Sequence, residues 1–93
     1  MEFEFDEEKS QINLKKHGID FIRAQELWKG PSIEFAAKQG YENRFAILGE
    51  FEGKLYTCIY TLRENKVRII SCRRSRNKEK KLYEQNIKKT KNS

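Results

Sequence analysis

Arg44, Arg68 and Arg73 stand on stretches in which apolar and polar residues alternate, the pattern of β-strands. A guanidinium stays charged at every physiological pH and offers parallel N–H donors, so strand arginines suit the gripping of a phosphate. A structural reading competes, because Glu50, Glu52 and Glu79 are available as ion-pair partners. Both readings stand on residue type alone. Tyr60, near the end of the clearest alternating run, adds a phenol to the set. Other chemistries find little support. The chain has no glycine-rich phosphate loop, no HExxH and no GxSxG. Its one histidine, His17, rules out a two-histidine acid–base pair. Asp6 and Asp20 are the only aspartates and both sit where helices should begin, which disfavours a two-metal site built on converging carboxylates. Cys58 and Cys72 fall inside apolar runs and read as small buried hydrophobes, too few and too far apart for a zinc knuckle. No metal and no cofactor are expected.

Charge is divided unevenly. Residues 1–72 hold eleven Lys/Arg against twelve Asp/Glu, whereas residues 73–93 hold nine against two, so the net +6 comes entirely from the last fifth of the chain. Such a segment suits a polyanion or an acidic partner, or serves as a solvated basic tail. At 93 residues the chain is expected to form one domain. Its mean hydropathy of −0.93 leans towards disorder, but 12% aromatic residues and several β-branched runs argue for a packed core. No apolar run approaches the roughly 18 residues a membrane helix needs. The acidic start MEFEFDEEK is wrong for a secretory or transit peptide, so a soluble, cytoplasmic protein is expected.

The elements that must position these residues follow from periodicity and capping. Met1–Phe5 alternates as a strand, and Asp6 can cap a helix whose far end carries Lys15, Lys16 and His17 before a Gly18 stop. Asp20 can cap a second helix with Phe21, Ala24, Leu27 and Trp28 on one face, ended by Gly30-Pro31. Strands are expected at Ser32–Ala37, Arg44–Gly49, Lys54–Leu62 and Val67–Arg73, with turns at Lys38-Gln39-Gly40 and Arg63-Glu64-Asn65-Lys66. Strict alternation places Arg68 on the face of Ile70 and Cys72, and Arg73 on that of Ser71. Ser75 or Asn77 can cap a last helix bearing Leu82, Tyr83 and Ile87, after which Lys88–Ser93 should fray. Short gaps between strands favour antiparallel hairpins. The expected class is α+β: one small domain over residues 1–87, with two N-terminal helices and one C-terminal helix covering one face of an antiparallel sheet, then a basic tail over residues 88–93.

The pattern F-E-F-D-x-x-K-x-x-x-N-x-x-K-H-G-I-x-F-x-x-A, from Phe3 to Ala24, resembles the opening of BrnT-type proteins. Glu42-Asn43-Arg44, Gly49, Gly53-Lys54, Tyr60-Thr61, the run Arg68 to Arg73, and Glu79 to Tyr83 extend the likeness to about Glu84. Phe5 stands where the family often has tryptophan and Cys72 where a small residue is usual. The resemblance implies a ribonuclease toxin of a type II toxin–antitoxin pair with a compact RelE-like fold. It implies a BrnA-type antitoxin that silences the toxin, forms a hetero-oligomer with it and alone contacts operator DNA.

In such an enzyme the RNA 2′-OH is the nucleophile, so the protein must align it, stabilise phosphoryl charge and move protons without a metal. Arg44, Arg68 and Arg73 would clamp the phosphate. His17 would exchange protons or simply close its helix. Tyr60 and Tyr83 would stack on bases or pack in the core. Glu79 would orient an arginine, act as a base or face solvent. Lys16, Arg74 and Arg76 would contact RNA along with Tyr83. The alternative function is a non-enzymatic basic module that binds nucleic acid or protein, although no RNP-like motif supports it.

Overall fold

A computed structural model describes residues 1–37 and 43–91, of which residues 88–91 are described as backbone only. The order is β1 (Glu2–Glu4), α1 (Glu7–His17), α2 (Phe21–Ala24), a 3-10 turn (Gln25–Trp28), β2 (Ser32–Ala37), β3 (Arg44–Phe51), β4 (Lys54–Arg63), β5 (Lys66–Arg74) and α3 (Asn77–Lys91). The turn expected at Lys38-Gln39-Gly40 lies outside the described residues.

The caps form as their chemistry dictates. Asp6 accepts from the Lys9 N–H at 3.0 Å, and Gly18, at φ 75°, donates its own N–H to Leu14. Asp20 accepts from the Arg23 N–H at 2.8 Å. The helix it starts is shorter than expected, one α-turn followed by the 3-10 turn. That tighter winding lays the Leu27 backbone against Gly49, where an added Cβ would meet the Leu27 carbonyl oxygen at 3.0 Å. Ser75 and Asn77 do not cap α3. Glu79 does so by accepting from the Arg76 N–H at 2.7 Å, one half of a capping box.

The five strands are ordered β1-β5-β4-β3-β2. β2 to β5 pair antiparallel, joined at β3–β4 and β4–β5 by two-residue turns, Glu52-Gly53 and Glu64-Asn65, with positive φ at both positions. β1 pairs parallel to β5, so the sheet is mixed and the purely antiparallel expectation is corrected. The hairpin argument holds only between neighbours in sequence, and α1, α2 and the 3-10 turn separate β1 from every other strand.

One face of the sheet carries the core. Ile19, Phe21, Ala24 and Leu27 pack on Ile47, Tyr56, Cys58, Tyr60, Val67, Ile69 and Cys72. Burying each large side chain contributes about 1.5–3 kcal/mol. Phe3, Trp28, Tyr60 and Phe45 extend this layer as a chain of ring contacts. Cys58 and Cys72 are cross-strand partners, both fully buried and free, and burial followed by the contact with Cys72 pushes the Cys58 thiol well above its ordinary range. Beyond the three residues of β1, the edge of β5 is covered by a side chain. Asn13 donates to the Cys72 and Ile19 carbonyls, both at 2.8 Å, and accepts from the Cys72 N–H at 3.2 Å.

Against the expectation that all helices share a face, α3 crosses to the other side. There Tyr83 donates to the Pro31 carbonyl, and Leu48 of β3 is fully buried. No described helix is long and apolar enough to cross a membrane.

Candidate active site

The register across β3, β4 and β5 aligns Arg44 with Thr61 and Thr61 with Arg68, so the two arginines share one face on strands separated by a single neighbour. Strand spacing puts their Cα atoms roughly 10 Å apart. On the same face Arg73 pairs with Thr57, four residues or roughly 13 Å along β4 from Thr61. This corrects the expected placement of Arg68 with Cys72. Ile59 pairs with Ser71 but Tyr60 with Ile69, leaving Ile70 as an extra residue in β5. A bulge shifts the alternation by one, so Val67, Ile69 and Cys72 all reach the core while Arg68 joins Arg73 opposite it.

Arg73 is held by α3. Its two terminal nitrogens donate to the two oxygens of Glu79 at 2.8 and 2.9 Å, a bidentate pair. Burial works to raise the Glu79 carboxyl, but the Arg73 donors and then the Arg76 N–H outweigh it, and the pKa falls to about 2. The same hydrogen bond raises the already high pKa of Arg73. Thr57 and Ser75, both buried, share a 2.7 Å hydrogen bond beneath this pair. Arg68 has a looser partner, Glu4 of β1, at 3.6 Å, with about a third of each side chain exposed.

The remaining candidates lie elsewhere. Tyr60 projects into the core face, stacks on Phe45 and donates to Glu34 at 2.6 Å. Burial first, and then the Glu34 carboxylate, push its phenol above its ordinary value. His17 is the exposed last residue of α1, in the layer behind the sheet, and Lys16 precedes it there. Arg74 faces away from Arg73 and sits over the Tyr56 ring at 5.8 Å. Arg76 is exposed at the start of α3. Tyr83 is buried, and burial followed by the charge of Glu50 raises its phenol. The structure therefore brings together Arg44, Arg68, Arg73 and Glu79, and it does not bring His17 or Tyr60 to them.

Glu4, Thr57 and Ser75 join this face without having been site candidates in the sequence, where Ser75 read only as a helix cap. The alternation of Glu4 with Phe3 and Phe5 marks it as pointing away from the core, but nothing local shows that it meets β5. Thr57 is a single hydroxyl with no distinguishing context, and the position of Ser75 ahead of a helix suggests capping rather than a place beside Arg73.

What this arrangement can do follows from its charges. Three permanent cations on the sheet face that α3 partly covers, one of them fixed in orientation by a permanent anion, can hold and stabilise a phosphate group. No curated protein matches the chain. A family model described as "Ribonuclease toxin, BrnT, of type II toxin-antitoxin system" matches residues 5–79. That span begins just after β1, covers β2 to β5 and stops at Glu79, and it takes in Arg44, Arg68 and Arg73. The chain thus belongs to the BrnT family of type II toxin–antitoxin ribonuclease toxins.

Proposed function

We propose that the arginine face is where RNA is cut, without a metal ion, in the cytoplasm, arresting growth. The observation that carries this reading is the common face of Arg44, Arg68 and Arg73, with Arg73 locked by Glu79. The 2′-oxygen attacks the adjacent phosphorus, the bond to the 5′-oxygen breaks, and the proton lost by the 2′-OH passes to water while the leaving oxygen gains one. The negative charge that builds on the phosphoryl oxygens meets preorganised guanidinium groups, whose effect is greatest where charge develops. With a pKa near 2, Glu79 stays ionised at neutral pH and is a poor base, so its part is to hold Arg73 in plane. Metal independence in this reading rests on the guanidinium groups, which supply the charge stabilisation that a divalent ion would otherwise give.

The partner in this reading is a BrnA-type antitoxin that covers the basic face and supplies the operator DNA contact. A RelE-like fold is consistent with the antiparallel run β2–β5 flanked by helices. The test is direct. Purified protein should cleave RNA in excess EDTA and leave 2′,3′-cyclic phosphate ends with 5′-hydroxyls. Activity that vanishes in EDTA and returns with Mg²⁺ or Mn²⁺ refutes metal independence. Binding of RNA with no cleavage under any condition favours the non-enzymatic module.

A further inference from the structure

The two edges of the sheet are treated differently. On one side β5 is covered by β1 over Lys66–Arg68, and further along the Asn13 amide occupies both backbone groups of Cys72. On the other side lies β2, six residues in continuous register with β3. The Asn13 bonds fix which way its edge points. Because the N–H and carbonyl of Cys72 face away from β4, Cys58 and Cys72 form a non-hydrogen-bonded pair. The unbroken registers from β4 through β3 to β2 carry that parity to Cys58–Ile47 and then Ile47–Glu34. The N–H and carbonyl groups of Ser32, Glu34 and Ala36 therefore point outward, and those of Ile33, Phe35 and Ala37 bind β3. No described residue pairs with this outward row. Within β2 there is no lysine, proline or bulge, and its one charged residue, Glu34, is engaged on the core face by the Tyr60 hydroxyl.

We infer that the outer edge of β2 is the docking line for an extended segment of the antitoxin, which adds as a sixth strand. The inference rests on the toxin–antitoxin reading for the existence of that partner, and on geometry and charge for its placement. On the arginine face β2 presents Ile33, Phe35 and Ala37, with Phe35 38% exposed. Ala37 is the cross-strand neighbour of Arg44 and is too small to screen it from the edge. The complementary strand carries an apolar residue beside Phe35 and a carboxylate beside Ala37, directed over it towards Arg44. Main-chain pairing would supply affinity and alternate side chains specificity. A second copy of this chain is the poorer occupant, since each carries a net +6 and would bring arginine against arginine. An acidic strand on this line continues directly onto the arginine face, so docking and silencing share one surface.

Amide hydrogen exchange on the wild-type toxin, free and co-expressed with the antitoxin from the adjacent reading frame, tests this residue by residue. The complex should slow exchange at Ser32, Glu34 and Ala36 at least about tenfold, the effect of roughly 1.4 kcal/mol of hydrogen bonding. Ala36→Pro removes one outward donor while leaving the β2–β3 bonds in place, and should weaken the complex about tenfold or more with free cleavage unchanged. Ala36→Val keeps the donor and should bind as wild type. A complex in which the three amides exchange as in the free chain overturns strand addition and leaves the toxin–antitoxin reading intact. Protection that grows with concentration of the free toxin shows self-pairing and overturns it as well. Failure of wild type to form any complex overturns both.

Discussion

Replacing Glu79 with glutamine tests the Arg73–Glu79 pair without changing its shape. The carboxyl has a pKa of about 2 in the folded chain against an ordinary 4.5. Taken in full, that gap corresponds to about 3 kcal/mol of stability at pH 7, at 1.36 kcal/mol per unit. Glu79 is 19% exposed and Arg73 26%, so solvent screening lowers this to about 2 kcal/mol. The sign is that of a depressed carboxylate. The contribution is complete above pH 4.5 and is lost as pH falls towards 2. Urea unfolding of wild type and Glu79→Gln side by side should show a gap of about 2 kcal/mol at pH 7 that shrinks to less than half by pH 3. All other titrations are common to both proteins and cancel in the difference. In the same variant Arg73 loses its fixed orientation, and cleavage of RNA at pH 7 should fall at least about tenfold. A stability gap equal at pH 7 and pH 3 refutes the assigned ionisation, and undiminished cleavage refutes the positioning role.

Arg68→Ala should abolish RNA cleavage, while His17→Ala and Tyr60→Phe should keep it within about threefold, because the last two lie behind the sheet; a toxicity assay with a folded-protein control decides this. Tyr60→Phe should nonetheless cost about 1.5–3 kcal/mol of stability by denaturant titration, as it removes the hydrogen bond to the Glu34 carboxylate. Gly49→Ala should destabilise by about 1–3 kcal/mol, since the new methyl meets Leu27 backbone rather than a movable side chain; a thermal melt reads it. Glu64→Asn with Asn65→Gly should stabilise by about 0.5–1 kcal/mol, because both positions have positive φ and the pair Asn-Gly suits such a turn; an unchanged or lower denaturation midpoint refutes the turn assignment.

Local chemistry was legible from the residues. Asp6, Gly18 and Asp20 stand where helix ends need them, and the alternating runs lie within a residue or two of strands β2 to β5. What escaped was long-range. Alternation in β5 is read correctly from each end but breaks at Ile70, and one inserted residue moves Arg68 from the core face to the face it shares with Arg44 and Arg73. No residue type announces a bulge there. Parallel pairing of β1 depends on a partner more than sixty residues away, which periodicity does not encode. The arginines were identifiable as candidates for a phosphate site or for ion pairs, and for Arg73 the two do not exclude each other: the bidentate pair with Glu79 also fixes its orientation.

The amide of Asn13, which stands in for a missing strand beside Cys72, ties α1 to β5 across 59 residues. Synthesis is vectorial. At about 5–20 residues per second, α1 leaves the peptidyl-transferase centre roughly 3–12 s before the segment it must dock on has been made. β1 waits in the same way for Lys66–Arg68. The N-terminal layer is therefore a latch that cannot close on a nascent chain, and a chain interrupted before β5 carries an unclosed core and no Arg73. Such truncated products should be degraded or held by chaperones, and under the proposed function they should not be toxic, since the arginine face is incomplete until β5 has been made.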